Sequence, residues 1–119
     1  MQDRIISERI SLIVEGIEMI EYYCVEIRNK EDFNTVKAET QKTLDAVMMR
    51  LQIIGENIKK IENIQPGYFD TFLQYDVTPI IRFRDFISHH YEKLDYEIIY
   101  EIISIDIPLL KDKLHLHNK

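Results

Sequence analysis

"LDAVMMRLQIIGENIKKI", Leu44 to Ile61, decides how this chain folds. Its apolar residues Leu44, Val47, Leu51, Ile54, Ile58 and Ile61 recur at steps of three and four. That spacing keeps them on one stripe of an α-helix, whereas a half-buried strand would need strict alternation. The pattern predicts a helix from about Val36 to Asn63. Gly55 lies inside it, where a glycine costs about 1 kcal/mol relative to alanine. Its presence points to close approach by another helix.

The same rhythm extends toward the N-terminus. Ile6, Ile10, Ile13, Ile17, Ile20, Cys24 and Ile27 alternate by four and three, predicting a helix from about Arg4 to Arg28. "NKEDF" interrupts the rhythm, with Asp32 placed to cap a short following turn. Toward the C-terminus, Pro66-Gly67 is a turn dipeptide, and "FLQYD" reads as a short helical or irregular piece. Thr78-Pro79 then reads as an N-cap followed by proline at the first helical position. Ile80, Ile81, Phe83 and Ile87 belong to that helix, and Asp95 is placed to cap a last one. The last helix carries Ile98, Ile102, Ile105 and Leu109 on one side. Ile99, Ile103, Ile107 and Leu110 widen the stripe. Pro108 should kink this helix or start a new segment, because it lacks an N–H and clashes with the preceding turn. The tail "KDKLHLHNK" is polar and expected to fray.

Four substantial helices with short connections predict an all-α antiparallel bundle of four to five helices. One domain covers residues 1–114, and 115–119 form a polar tail. The wide stripe on the last helix suits either packing within one chain or a second copy.

Composition narrows the function. The 119 residues carry a net charge of −6, so a sequence-blind basic coat for nucleic acid is excluded, and any RNA contact must be local. Three glycines and three prolines argue against a turn-rich β architecture. Cys24 is the only cysteine, which leaves no internal disulfide or multi-cysteine metal site. The N-terminus has no signal-peptide pattern, and no apolar run approaches the ~20 residues of a membrane span. The expected compartment is the cytoplasm.

One polar cluster interrupts the apolar pattern: "RFRDFISHHYEKLD", Arg82 to Asp95. Arg84 and Tyr91 are seven residues apart and fall within about 20° of each other on a helix. His89 follows Arg84 by five residues, about 140° round the axis. One straight helix cannot aim both at the same atom. The arginine could reach around, the helix could end near His90, or two chains could share one site. A guanidinium stabilises charge on a phosphoryl oxygen. An imidazole, with a reference pKa of ~6.5, exchanges protons near neutrality. A tyrosine hydroxyl adds a hydrogen bond. Together they could cleave RNA without a metal, through attack by the 2′-hydroxyl that DNA lacks. Arg, His and Tyr at a helix end are otherwise caps, ion pairs or surface residues, so spacing alone leaves both readings open.

"RDFISHHY" resembles the R-x-x-x-x-H-x-Y motif of HepT-type toxins in the HEPN superfamily, with Arg84, His89 and Tyr91 at its fixed positions. "EDF", "LDAVMMRLQIIGENIKKI", "DVTPIIRFRDF" and "YEIIYEIISIDIPLL" resemble, in order, the family's flanking segments. The resemblance covers nearly the whole chain. Asp85 departs from it, since the family usually has Asn after the motif arginine. An ionised Asp only accepts hydrogen bonds, so it could orient Arg84 or weaken its attraction for phosphate.

The resemblance implies a HEPN-like bundle that dimerises, with the motifs of two chains facing across a cleft. It implies metal-independent RNA cleavage by the toxin of a toxin–antitoxin pair, with Arg84 and His89 catalytic and no cofactor. The implied partner is the minimal nucleotidyltransferase MntA, which would silence the toxin by transferring AMP onto Tyr91. A non-catalytic dimeric module that binds the nucleotidyltransferase or a nucleotide is the alternative. Arg82 is a candidate RNA contact, and His90 reads as a bystander. Arg50 reads as a salt-bridge residue. Tyr22, Tyr23, Tyr96 and Tyr100 read as core or interface. His115 and His117 lack a third ligand, so no metal site is assigned.

Overall fold

The computed structural model describes residues 2–33, 38–90 and 96–117. Five α-helices account for most of them: α1 (Gln2–Tyr23), α2 (Ala38–Ile64), α3 (Thr78–His90), α4 (Tyr96–Glu101) and α5 (Ile107–His117). No strand occurs among the described residues. The chain is an all-α bundle, as its periodicity predicts.

Helices α1 and α2 bury the stripes read from the sequence, apart from Cys24 and Ile27, which lie beyond the end of α1. Ile6, Ile10, Ile13, Ile17 and Ile20 of α1 face Leu44, Val47, Leu51, Ile54, Ile58 and Ile61 of α2. Burying an isoleucine side chain stabilises by about 1.5–3 kcal/mol, so this hairpin is the energetic centre of the fold. It is antiparallel: Arg9 donates to the buried Asn57 at 3.2 Å, and further along Gly16 seats Ile54. Ile80, Phe83 and Ile87 of α3 and Ile99, Ile102, Ile107, Leu110 and Leu114 of the last helices complete the core.

Several boundaries differ from the sequence reading. Helix α1 ends at Tyr23, five residues short of Arg28. The chain turns there because the Asn29 and Asp32 side chains cap each other's backbone. Asp32 accepts the Asn29 N–H at 3.2 Å, and Asn29 accepts the Asp32 N–H at 3.2 Å. This reciprocal box opens a 3₁₀ turn, Lys30–Phe33, that drives Phe33 into the core. Asp32 therefore caps the turn it belongs to.

At α3 the capping group is Asp76, whose carboxylate accepts the Thr78 N–H at 2.9 Å. Thr78 itself is the first helical residue, not the cap. The proposed Asp95 cap of α4 lies outside the described residues.

Pro108 does not sit in mid-helix: it opens a new segment, as the second residue of α5. The segment Ile102–Asp106 between α4 and α5 winds as a π-helical turn, with the Ile107 N–H on the Ile102 carbonyl. The wider turn makes room for the proline ring. Nor does the tail fray from Lys111: α5 continues to His117, held by a fully buried Leu114.

Candidate functional site

The site is built where α2 and α3 touch. Gly55 makes the approach possible: a Cβ placed there would lie 2.6 Å from Cβ and 2.7 Å from Cγ of Arg84. The expected close approach to Gly55 is therefore made by the motif arginine. Its stem lies flat on the glycine, and its guanidinium emerges between two carboxylates. Nη2 donates to Glu56 of α2 at 3.0 Å, and Nη1 donates to the adjacent Asp85 at 3.0 Å. Lys59, one turn beyond Glu56, approaches the same Asp85 oxygen at 3.5 Å. Two cations and two anions alternate across the helix pair.

These contacts reinforce the charged states. The hydrogen bond to Asp85, then that to Glu56, pushes the Arg84 guanidinium further above its already high value. The bond from Arg84, with the Lys59 charge behind it, holds the Asp85 carboxyl below the usual aspartate range. Of the two possibilities for Asp85, orienting Arg84 is the one the geometry exhibits. Glu56 and Lys59 were not singled out in the sequence. Their one signal was proximity to Gly55, the glycine read as a helix contact.

Arg82 goes elsewhere. Two residues from Arg84, it is rotated by about 200° on the helix and faces away from α2. It lines a groove of about 380 Å³ with Pro79, Phe83, Phe86, Ile98 and Glu101. Its charge also helps hold the Asp76 carboxyl low, after the hydrogen bonds to Thr78. Arg82 and Arg84 thus serve opposite sides of α3.

Positions 89 and 90 close the last turn of α3, which runs unbroken from Thr78 to His90. Position 89 is seven residues from Arg82 and shares its side of the helix axis to within about 20°. It stands about 140° from Arg84, so within one chain the helix separates the two motif positions. Tyr91 lies outside the described residues. Arg50, read as a salt-bridge residue, has no ion-pair partner among the described residues. Tyr100 donates to the Arg28 carbonyl at 2.8 Å and packs on the core, whereas Tyr22 is 74% exposed. No helix among the described residues is long and apolar enough to cross a membrane.

Comparison with known proteins follows the same lines. The "Ribonuclease HepT-like" family profile matches residues 13–116. A protein of Thermococcus cleftensis named "Probable ribonuclease HepT" is 36% identical over 101 residues, 85% of this chain and 84% of that protein. Methanocaldococcus jannaschii has a "Gamma-glutamylcyclotransferase and putative RNase" that is 31% identical over 102 residues, 86% of this chain. It also has a "Putative RNase" that is 34% identical over 68 residues, 57% of this chain. This chain spans 42% and 54% of the length of those two relatives. No solved structure matches significantly. The profile covers the bundle from mid-α1 to the last turn of α5, and this chain belongs to the HepT-like ribonuclease family.

Proposed function

We propose that this chain is a metal-independent endoribonuclease and the toxin of a HepT/MntA-type toxin–antitoxin system. The observation that carries the reading is Arg84, fixed in place by Gly55 and Glu56 on the helix that also bears position 89. The 2′-hydroxyl of the RNA attacks the adjacent phosphorus, and His89 takes its proton. The P–O5′ bond breaks as His89 passes that proton to the leaving 5′-oxygen, leaving a 2′,3′-cyclic phosphate and a 5′-hydroxyl. Arg84 stabilises the charge that builds on the non-bridging oxygens.

The angle of about 140° between positions 84 and 89 on one continuous helix supports a composite site shared by two copies of the chain. Arg82 and Tyr91 contact the substrate. An MntA-like nucleotidyltransferase inactivates the site by AMPylation. The Tyr91 hydroxyl attacks the α-phosphorus of ATP, forming a Tyr–O–AMP bond and releasing pyrophosphate. The added bulk and negative charge then oppose an anionic substrate.

Purified protein is expected to cleave RNA in the presence of EDTA, with His89→Ala reduced at least about a hundredfold, the scale of general acid–base catalysis. Equal cleavage by both proteins sinks the mechanism. In the same preparation, ATP and the cognate nucleotidyltransferase should add mass to the wild type but not to Tyr91→Phe.

A second reading is favoured by one contact. Asp85 already occupies Nη1 of Arg84, which suits a non-catalytic dimeric module that binds the nucleotidyltransferase or a nucleotide. That reading predicts no cleavage by the wild type and cleavage by Asp85→Asn.

A further inference from the structure

The two carboxylates on Arg84 are not equivalent. Glu56 comes from another helix, holds Nη2 at 3.0 Å, and has no second cation among the described residues. Asp85 holds Nη1 at 3.0 Å and already has a second cation in Lys59 at 3.5 Å. If Arg84 leaves Glu56, a carboxylate loses its one counter-ion among the described residues. If Arg84 leaves Asp85, the carboxylate keeps one.

Exposure does not separate the two carboxylates, since the Glu56 side chain is 43% exposed and Asp85 46%, but it shows that the Asp85 pairing is open to exchange. The Asp85 and Lys59 side chains are 46% and 44% exposed, while Arg84 is only 23% exposed. Ion pairs as open as Asp85–Lys59 are weak and exchange readily. Meanwhile the Arg84 stem is fixed against Gly55, so its guanidinium has little room to travel. The four charges also sum to zero. An incoming phosphodiester would meet a neutral patch unless one carboxylate is redirected.

We infer that Asp85 is the exchangeable counter-ion of Arg84: a phosphodiester oxygen of the RNA takes its place on Nη1, and Asp85 transfers to Lys59. The identity of that anion rests on the ribonuclease reading above. No covalent bond changes, since one charge-assisted hydrogen bond replaces another of the same kind. Asp85 thereby sets the RNA affinity, and Lys59 determines how easily Asp85 yields. Glu56 is the contact that stays.

The test is binding of a fully 2′-O-methylated oligoribonucleotide, which presents the phosphates but lacks the attacking hydroxyl. Its dissociation constant is read by fluorescence anisotropy on the full chain. Asp85→Asn keeps the side-chain shape and removes the competing charge. It should tighten binding about fivefold, the upper range for one exposed ion pair.

Lys59→Gln should weaken binding about fivefold in the wild-type background and leave it unchanged with Asp85→Asn, because nothing then remains to be parked. Equal or weaker binding by Asp85→Asn overturns the inference. So does an equal effect of Lys59→Gln in both backgrounds, which would make the lysine a direct phosphate contact. Should Asp85→Asn fail to fold, as read by circular dichroism, Asp85→Ser takes its place with the same expectation. The probe is never cleaved, so the readings separate. If no variant cuts RNA but the binding pattern holds, the ribonuclease reading falls and the exchange stands. If His89-dependent cleavage appears without the pattern, the exchange falls alone.

Discussion

Gly55 and Arg84 are one feature seen from two helices. The glycine was legible in the sequence as an oddity inside a strong helix; its occupant was not, because helical periodicity carries no information about which residue comes across. A methyl group at Gly55 would meet the root of the Arg84 side chain, atoms that cannot swing aside without moving α3. Gly55→Ala is therefore expected to destabilise the fold by about 1–3 kcal/mol in urea denaturation, the usual cost of overpacking. Cleavage assayed well below the melting temperature should fall further than the remaining folded fraction explains, because the guanidinium is displaced. Unchanged stability and cleavage would show that the helices do not approach this closely. Cys24, by contrast, has no place in the site. Burial pushes its thiol up to about 11, so it stays protonated and unreactive at neutral pH.

The last helix shows why patterns need geometry. The sequence offered two apolar stripes, one starting at Ile98 and one at Ile99. The chain buries Ile99 and Ile102 before the π turn, then Ile107, Leu110 and Leu114 after it. The buried phase slips by one residue where Ile102–Asp106 takes an extra residue into its turn. Pro108 was visible in the sequence, but the slip it accompanies was not, since a π turn has no local signature of its own. Tyr75 stitches this region by donating its hydroxyl to the Asp106 carbonyl at 2.9 Å.

A second local device is the Glu62 carboxylate, which accepts the Gly67 and Phe69 N–H groups at 2.9 and 3.0 Å. It caps the short turn Tyr68–Phe72 and holds Phe69 fully buried. Glu62→Ala should cost about 1–2 kcal/mol in urea denaturation, the range for losing a capping side chain. A loss no larger than that of an exposed control substitution would mean that the cap is ornamental.

For the molecule as a whole, Ile98, Ile105 and Leu109 lie on the outside, 43%, 53% and 49% exposed. Packing within the chain therefore does not use up the wide stripe of the last helix. Ile98 also lines the groove that holds Arg82. A second copy covering this surface would bring another α3 near the groove, which is what a composite site requires. Sedimentation should find a dimer at micromolar concentration. Ile105→Glu should yield a folded monomer with strongly reduced cleavage. A variant that remains dimeric and active would place the interface elsewhere.

The sequence by itself determined the bundle, because the positions of its buried residues are dictated by helical period and turn chemistry, both local properties. It also determined the family, through a motif and flanks in fixed order. What only the tertiary structure decided is who meets whom. Arg84 rests on Gly55 and is shared by Glu56 and Asp85, with Lys59 behind them, while Arg82 faces the opposite side of α3. Those partners lie 25 to 29 residues from Arg84 along the chain, apart from Asp85. Charge pairing at that separation is set by how helices pack, and no local rule of sequence encodes it.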